Sequence, residues 1–119
     1  MNIISLGAIF SAFGVILGAF GTHGLKGKIE PDLLQIYETG THYLLLHAFA
    51  LIFYGLIKPK KRWPAWCFIF GILIFTGSLY AITFTGIRTF GAITPIGGLL
   101  FIIAWFGFAK EARQLKVDS

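Results

Sequence analysis

Charged side chains are scarce in this sequence. Only 13 % of its 119 residues are Asp, Glu, Lys or Arg, whereas 56 % are hydrophobic. Soluble domains carry about 25 % charged residues, so this composition favours a chain that lies in a lipid bilayer. The net charge of +5 comes from basic residues in loops and near the C-terminus, not from a helix face with interleaved aromatic residues. We therefore predict membrane lipids as partners and no nucleic acid.

Other absences limit the chemistry of the chain. The single cysteine, Cys67, cannot form an internal disulfide. No carboxylate lies within a long apolar stretch, and neither Ser78 nor Cys67 stands in a recognised nucleophile motif. The histidines lack a compact ligand spacing, because His42 and His47 would point about 140° apart on a helix. We predict no catalytic residues, no metal site and no cofactor.

Long apolar stretches are abundant instead. A membrane-spanning helix needs about 20 residues, and four segments come close to this length: 3–22, 40–57, 65–85 and 93–109. We predict an all-α membrane protein, a single domain over residues 1–119 with four transmembrane helices. The first segment lacks the basic start of a secretory signal, so we expect it to remain in the protein.

The stretch 26–39, between the first two apolar segments, has a different character. Glu30-Pro31-Asp32 is typical of a helix start. One polar face follows it, made by Asp32, Gln35, Thr39 and His42. This amphipathic stretch either lies at the membrane surface or extends the second helix back to residue 31. The sequence leaves both alternatives open.

Basic residues predict the orientation, because Lys and Arg concentrate on the cytoplasmic side of a membrane protein. Four lie in the segment 58–62, here called the basic loop, and three in the C-terminal tail (Lys110, Arg113 and Lys116). The two loops on the other side hold Lys26, Lys28 and Arg88. An even number of helices puts both termini on one side, so we predict that both are cytoplasmic. The tryptophans, Trp63, Trp66 and Trp105, are then expected near that face.

Small residues form a continuous stripe on the first helix. Its members are Gly7, Ser11, Gly14, Gly18 and Gly21, which fall within about 80° of one another on a helix. Small residues allow another helix to approach closely. We expect this stripe to pack against a helix of the same chain, with a dimer contact as the alternative.

Under this topology the polar residues of the apolar segments gather in the outer halves of the four helices. They are His23, His42, Tyr43, His47, Ser78, Tyr80 and Thr94. Polar side chains within a bilayer usually face the bundle interior and find partners there. We predict an outer polar network or pocket centred on His47. Interhelical hydrogen bonds are one interpretation of it, and a titratable ligand contact is the other.

Four motifs resemble the signatures of a known family. They are Gly18-Ala19-Phe20-Gly21-Thr22-His23-Gly24-Leu25, Thr41-His42-Tyr43-Leu44-Leu45-Leu46-His47, Thr76-Gly77-Ser78-Leu79-Tyr80 and Thr94-Pro95-Ile96-Gly97-Gly98. The chain thereby resembles domain-of-unknown-function family 423, small bacterial inner-membrane proteins similar to eukaryotic transmembrane protein 256. The resemblance implies a four-helix, multi-pass protein of the bacterial cell membrane, with no established activity, cofactor or catalytic residue. His23 and His47 match the family pattern, whereas glutamine often replaces His42, which argues against an essential imidazole there.

The sequence thus predicts an integral membrane protein of unknown molecular function, structural or accessory in type, whose polar network holds the helices in register. The alternative is a small transport or ligand-binding protein with an outer vestibule lined by His23, His47, Tyr80 and Thr94. Because one short chain cannot enclose a wide pore, transport would require an oligomer. A homo-oligomer or another membrane protein stays open as a partner. A vestibule requires a pocket that reaches His47 from the outer face, whereas a structural role requires His47 to bond to neighbouring helices.

Overall fold

The computed structural model describes residues 2–115, which form four long helices. These are α1 (Ile3–Phe20), α2 (Pro31–Leu56), α3 (Trp63–Thr85) and α4 (Thr94–Ala112). A π-helical turn, Gly21–Leu25, prolongs α1, and a 3-10 turn, Arg88–Ala92, precedes α4. Lys116, which contributes to the predicted basic tail, lies outside the described residues.

Proline and glycine mark several helix ends. Pro31, Pro64 and Pro95 lie in the first turn of α2, α3 and α4, where a missing backbone N–H removes no intrahelical bond. Gly86 ends α3 with a φ of 73°, in the left-handed region that glycine adopts readily. Local sequence therefore explains where three helices begin and one ends.

The structure decides between the two alternatives for residues 31–39. They form the first turns of one continuous helix that runs from Pro31 to Leu56, so the amphipathic stretch extends the second helix. The predicted fourth segment stops at residue 109, whereas α4 continues to Ala112 and so includes Glu111.

The small-residue stripe of α1 faces α2 in the same chain. A Cβ atom added to its glycines would meet α2 in antiparallel order: Gly7 meets Ala48 and Ile52, Gly14 meets Leu45, Gly18 meets Thr41 and Gly21 meets Tyr37. At Gly7 the added atom would lie 2.9 Å from the carbonyl oxygen of Ala48, an approach that a side chain would prevent. The fifth member, Ser11, donates a hydrogen bond to the carbonyl of Gly7 within α1, at 2.8 Å.

The other helices pack in chain order, α2 against α3 and α3 against α4. Glycines again mark the close approaches of α3 and α4: Gly97 lies against Phe75, Gly71 against Phe101, and Gly107 against Trp63 and Pro64. The core lies between α2, α3 and α4, where Leu51, Phe68 and Ala104 are completely buried. Consecutive helices are thus antiparallel neighbours, with α2 and α3 in the middle.

Large hydrophobic side chains cover the outside of this arrangement. Phe13, Val15, Phe53 and Phe106 all expose more than half of their surface, at 55, 64, 57 and 74 %. Three helical stretches, Ile3–Leu25, Trp63–Thr85 and Arg88–Ala112, are long and apolar enough to cross a membrane. An exterior of this kind fits contact with lipid better than contact with water.

Candidate functional site

His47 lies in α2 and is only 2 % exposed. Its Nδ1 atom lies 2.8 Å from the carbonyl oxygen of Tyr43, and the indole Nε1–H of Trp105 in α4 donates to its Nε2 atom at 3.0 Å. Because a carbonyl can only accept, these partners require a neutral ring with its proton on Nδ1. The ring also stacks on Phe101, with centroids 3.6 Å apart. Both ring nitrogens are therefore used within the protein.

The bond between His47 and Trp105 places the two side chains at the same depth. Trp105 lies two residues before Gly107, which packs against Trp63 and Pro64, and its ring centroid is 5.2 Å from that of Phe68. That Trp105 lies near the same face as the basic loop stays a prediction. Its bond to His47 connects α4 to α2.

A cavity of about 570 Å³ opens beside His47, between α2, α3 and α4. Its walls include Tyr43, Leu46, His47, Phe75, Leu99 and Trp105. Three of these, Leu46, Leu99 and Trp105, are also 46, 57 and 40 % exposed on the outside of the helices. The cavity therefore opens sideways onto the apolar exterior, and we call it the lateral groove.

Ser78 and Thr94 connect α3 to α4. Their hydroxyl oxygens lie 2.6 Å apart, and Ser78 also donates to the carbonyl of Phe75 at 2.9 Å. Since a hydroxyl carries one proton, Thr94 is the donor to Ser78. This pair is an interhelical bond at the start of α4.

Tyr80 belongs to a separate group, the Tyr37 cluster, which consists of Tyr37, Thr41 and Tyr80. The rings of Tyr37 and Tyr80 stack with centroids 4.5 Å apart, and Thr41 shares a hydrogen bond with the Tyr80 hydroxyl. Tyr37 is 1 % exposed and donates to the carbonyl of Leu17 in α1, at 2.6 Å. The cluster therefore joins α1, α2 and α3.

Sequence reasoning missed Tyr37 because it lies away from the polar face of residues 32–42. The small-residue stripe was a usable signal, because a large side chain must fill the space that it leaves. The stripe ends at Gly21, and a Cβ atom added there would lie 2.8 Å from the Tyr37 ring. The carbonyl of Leu17 also accepts from the N–H of Gly21, where the helix widens into the π-helical turn. A hydroxyl inserted beside the backbone ladder is a recognised cause of such a local change.

His23 and His42 lie on the surface. His23 is exposed in the π-helical turn, and His42 is exposed on α2 beside Tyr43, with ring centroids 6.0 Å apart. The lateral groove is lined by His47 but not by His23, Tyr80 or Thr94. The structure therefore brings Tyr43 to His47 and Ser78 to Thr94, and it places the other three predicted residues elsewhere.

Two buried side chains hold the basic loop against the helices. Glu111 accepts a hydrogen bond from the backbone N–H of Lys61 at 2.8 Å, and Tyr54 donates to the Lys61 carbonyl at 2.6 Å. Glu111 is 7 % exposed and Tyr54 is completely buried. Both backbone groups of Lys61 are thus fixed by side chains of α2 and α4.

An ion pair joins the loops at the opposite end. Arg88, in the 3-10 turn, pairs with Asp32 in the first turn of α2, and both side chains are exposed. The Arg88 guanidinium holds the pKa of the Asp32 carboxyl below its usual value. Within residues 2–115, no three His, Cys, Asp or Glu side chains come close enough to hold a metal ion.

These features define an all-helical membrane protein. It has four long helices with an apolar exterior, and polar side chains that bond between the helices. The family model described as "Protein of unknown function (DUF423)" matches residues 17–98. The chain belongs to this family, which confirms the resemblance seen in the four motifs.

The relatives of the chain carry membrane-protein names and no stated activity. A UPF0382 membrane protein of Staphylococcus epidermidis is 45 % identical over 106 residues, which cover 86 % of this chain and 87 % of that protein. The UPF0382 membrane protein YwdK of Bacillus subtilis is 44 % identical over 108 residues, covering 86 % of this chain and 88 % of YwdK. No solved structure matches the chain. The chain is therefore a membrane protein of a family whose molecular function is unknown.

Proposed function

We propose that this protein is a structural or accessory protein of the bacterial cell membrane, which it crosses four times with both termini in the cytoplasm. The observation that carries the proposal is the bonding of His47. Its two ring nitrogens are occupied by α2 and α4, which suits a side chain that connects helices better than one that exchanges protons or ligands.

In this proposal α2 crosses the membrane in addition to α1, α3 and α4. It is less apolar than the other three, but it packs between α1 and α3. Its polar residues Tyr37, Thr41 and His47 are only 1, 5 and 2 % exposed. Polar residues are tolerated in a membrane when they face neighbouring helices and find partners there.

The orientation follows from charge. The basic loop and the C-terminal tail carry most of the Lys and Arg residues, and cytoplasmic segments are enriched in these residues. On the other side, Arg88 is paired with Asp32. Four antiparallel helices then leave both termini on the side of the basic loop.

The competing proposal, a transport or ligand-binding vestibule, needs water to reach His47 from the outer face. The lateral groove gives it little support, because the groove is mostly apolar and opens to the side. His23, Tyr80 and Thr94, the other predicted vestibule residues, do not line it.

Cysteine labelling tests orientation and vestibule together. In a Cys67→Ser background, single cysteines would be introduced as Lys28→Cys, Lys60→Cys and His47→Cys, and intact cells treated with a membrane-impermeant maleimide. We expect labelling at position 28, labelling at position 60 only after permeabilisation, and protection of position 47 in both cases. Thermal unfolding in detergent checks that each variant is folded.

The opposite pattern at positions 28 and 60 would invert the proposed topology. Rapid labelling of a folded His47→Cys variant from outside would instead support the vestibule. The two parts of the proposal can therefore fail separately.

A further inference from the structure

A second, shallow cavity of about 380 Å³, here called the polar recess, is lined by Gln35, Glu38, Thr39, His42 and Tyr43, all of α2. Tyr43 therefore lines both cavities. The apolar groove lies beside the middle of α2 and the polar recess towards its first turn, with Tyr43 between them.

We propose that the groove and the recess together bind one phospholipid with an amine-bearing head group. An acyl chain occupies the lateral groove, and the head group occupies the polar recess. This inference goes beyond the proposed structural function, and it does not depend on which side of the membrane holds the termini.

The groove has the size and the walls of a chain-binding site. Its volume lies within the range of about 300–1,000 Å³ that is typical of ligand pockets. Phe75, Phe101 and Trp105 give it flat aromatic walls, and Leu99 borders its opening to the lipid-facing surface. An acyl chain that enters the groove leaves a lipid environment that is equally apolar. The hydrophobic effect therefore does not favour its binding. Selection must come from its fit to these walls and from the head group.

The recess has the position that a head group requires. Gln35 precedes Tyr43 by eight residues, so the recess extends about 12 Å along the helix axis from the top of the groove. The polar layer of a bilayer is about 5–8 Å thick in each leaflet. The recess is thus long enough to span the polar layer and the adjoining end of the hydrocarbon core. A lipid whose acyl chain lies in the groove would place its head group in the recess.

The side chains of the recess favour an amine-bearing lipid over a purely anionic one. The carboxylate of Glu38 attracts an ammonium group, whereas Lys26, which lines a neighbouring cavity together with Glu38, attracts a phosphate. The amide of Gln35 and the imidazole of His42 can donate hydrogen bonds to phosphate oxygens. Phosphatidylethanolamine meets both requirements, whereas phosphatidylglycerol lacks the ammonium.

Trp105 offers a direct readout, because it lines the groove and brominated acyl chains quench a tryptophan that they touch. The protein would carry Trp63→Phe and Trp66→Phe so that Trp105 alone fluoresces. It would be placed in phosphatidylcholine vesicles with increasing amounts of brominated phosphatidylethanolamine or brominated phosphatidylglycerol. We expect half-maximal quenching at about tenfold less phosphatidylethanolamine, which corresponds to a preference of about 1.4 kcal/mol.

Two glycine variants provide a matched pair. Gly98 lines the groove, and an added Cβ there would meet Phe75 only at 4.0 Å, so Gly98→Leu fills the groove without a backbone clash. Gly77 lies in α3 with nothing within 4 Å of an added Cβ, and it does not line the groove. We expect Gly98→Leu to abolish the lipid preference and Gly77→Leu to keep it. Glu38→Gln should reduce the preference without blocking chain binding.

Native mass spectrometry of the unaltered chain gives a second measurement that needs no tryptophan substitution. We expect one phosphatidylethanolamine to remain bound when both lipids are supplied equally. Equal retention or quenching by the two lipids would overturn the proposal, as would identical behaviour of Gly98→Leu and Gly77→Leu. A dimer that Gly98→Leu dissociates would show that a second copy fills the groove, and the proposal would again be wrong.

Discussion

Several buried polar residues in this protein bond to the backbone of another segment. Tyr37 donates to the Leu17 carbonyl, Thr76 to the Gly40 carbonyl at 2.9 Å, and Tyr54 to the Lys61 carbonyl. Within residues 2–115, no buried side-chain nitrogen or oxygen lacks a hydrogen-bond partner. Fully paired polar groups of this kind fix one arrangement of the helices, because any shift would leave a polar group unpaired in a low-dielectric interior.

His47 and Trp105 provide the sharpest test at the residue scale. His47→Phe and Trp105→Phe each remove one partner of the bond and keep an aromatic ring. In a double-mutant cycle we expect a coupling energy between about 0.6 and about 1.7 kcal/mol, the average and the maximum for hydrogen bonds between membrane helices. The free energy of unfolding would be measured by SDS titration in mixed micelles. A coupling energy near zero would mean that stacking on Phe101, rather than the hydrogen bond, holds the imidazole.

The sequence predicted that His47 faces other helices, but it did not reveal the partner of His47. A polar residue in an apolar segment must face other helices, so its burial could be expected. Which helix it faces depends on the relative depth of α2 and α4, and hence on helix ends that the apolar pattern does not define.

At the scale of elements, glycines determine how closely the helices approach. The contact of Gly97 with α3 is the tightest that involves backbone, since an added Cβ would lie 2.5 Å from the backbone nitrogen of Phe75. A side chain could rotate away from such a clash, but the backbone of a packed helix cannot. The spacing of α3 and α4 is therefore set by the absence of a side chain at this position.

Alanine at two glycine positions should have opposite effects. Gly97→Ala should destabilise the protein by about 1–3 kcal/mol, the usual cost of overpacking. Gly77→Ala, in open space, should stabilise it by about 0.5–1 kcal/mol because alanine favours the helix. Thermal unfolding followed by circular dichroism in detergent compares the two variants. Equal stability of the two variants would show that α3 and α4 can move apart without loss of stability.

The basic loop is an element held by its neighbours rather than by its own sequence. Glu111→Ala would leave the Lys61 N–H without its acceptor, at a cost of about 1–3 kcal/mol. Glu111→Gln keeps a carbonyl oxygen in place and should have a smaller effect. Trypsin cleaves after Lys and Arg. Its cleavage rate in the basic loop of the solubilised protein therefore measures how far the loop is released from the helices. We expect faster cleavage in the alanine variant, and unchanged cleavage would mean that Tyr54 alone fixes the loop.

The starts of three helices carry a local sequence signal, whereas the end of α4 does not. Three starts coincide with a proline, whose preference for the first turn is local. The end of α4 is not local, because Glu111 is tolerated there only through its bond to Lys61, a residue fifty positions earlier. The continuous α2 likewise depends on packing against α1 and α3, which no single segment reveals.

At the scale of the whole molecule, the four long helices were correctly expected from the apolar segments, and three helical stretches are long and apolar enough to cross a membrane. The grouping of the polar residues was not correctly expected, because it depends on how each helix is rotated about its axis. Tyr43 and His47 face α4, whereas Thr41 faces Tyr80 of α3 and Tyr37 faces α1. One predicted network is therefore several, distributed around α2.

Packing in chain order has a consequence for biogenesis. Each helix packs against the one made just before it, so the hairpin of α1 and α2 can close while α3 is still being synthesised. Interactions between segments close in sequence form with little loss of chain entropy. The bond from Trp105 to His47 spans 58 residues, so it can form only after most of the chain has been inserted. It ties the last helix to the second.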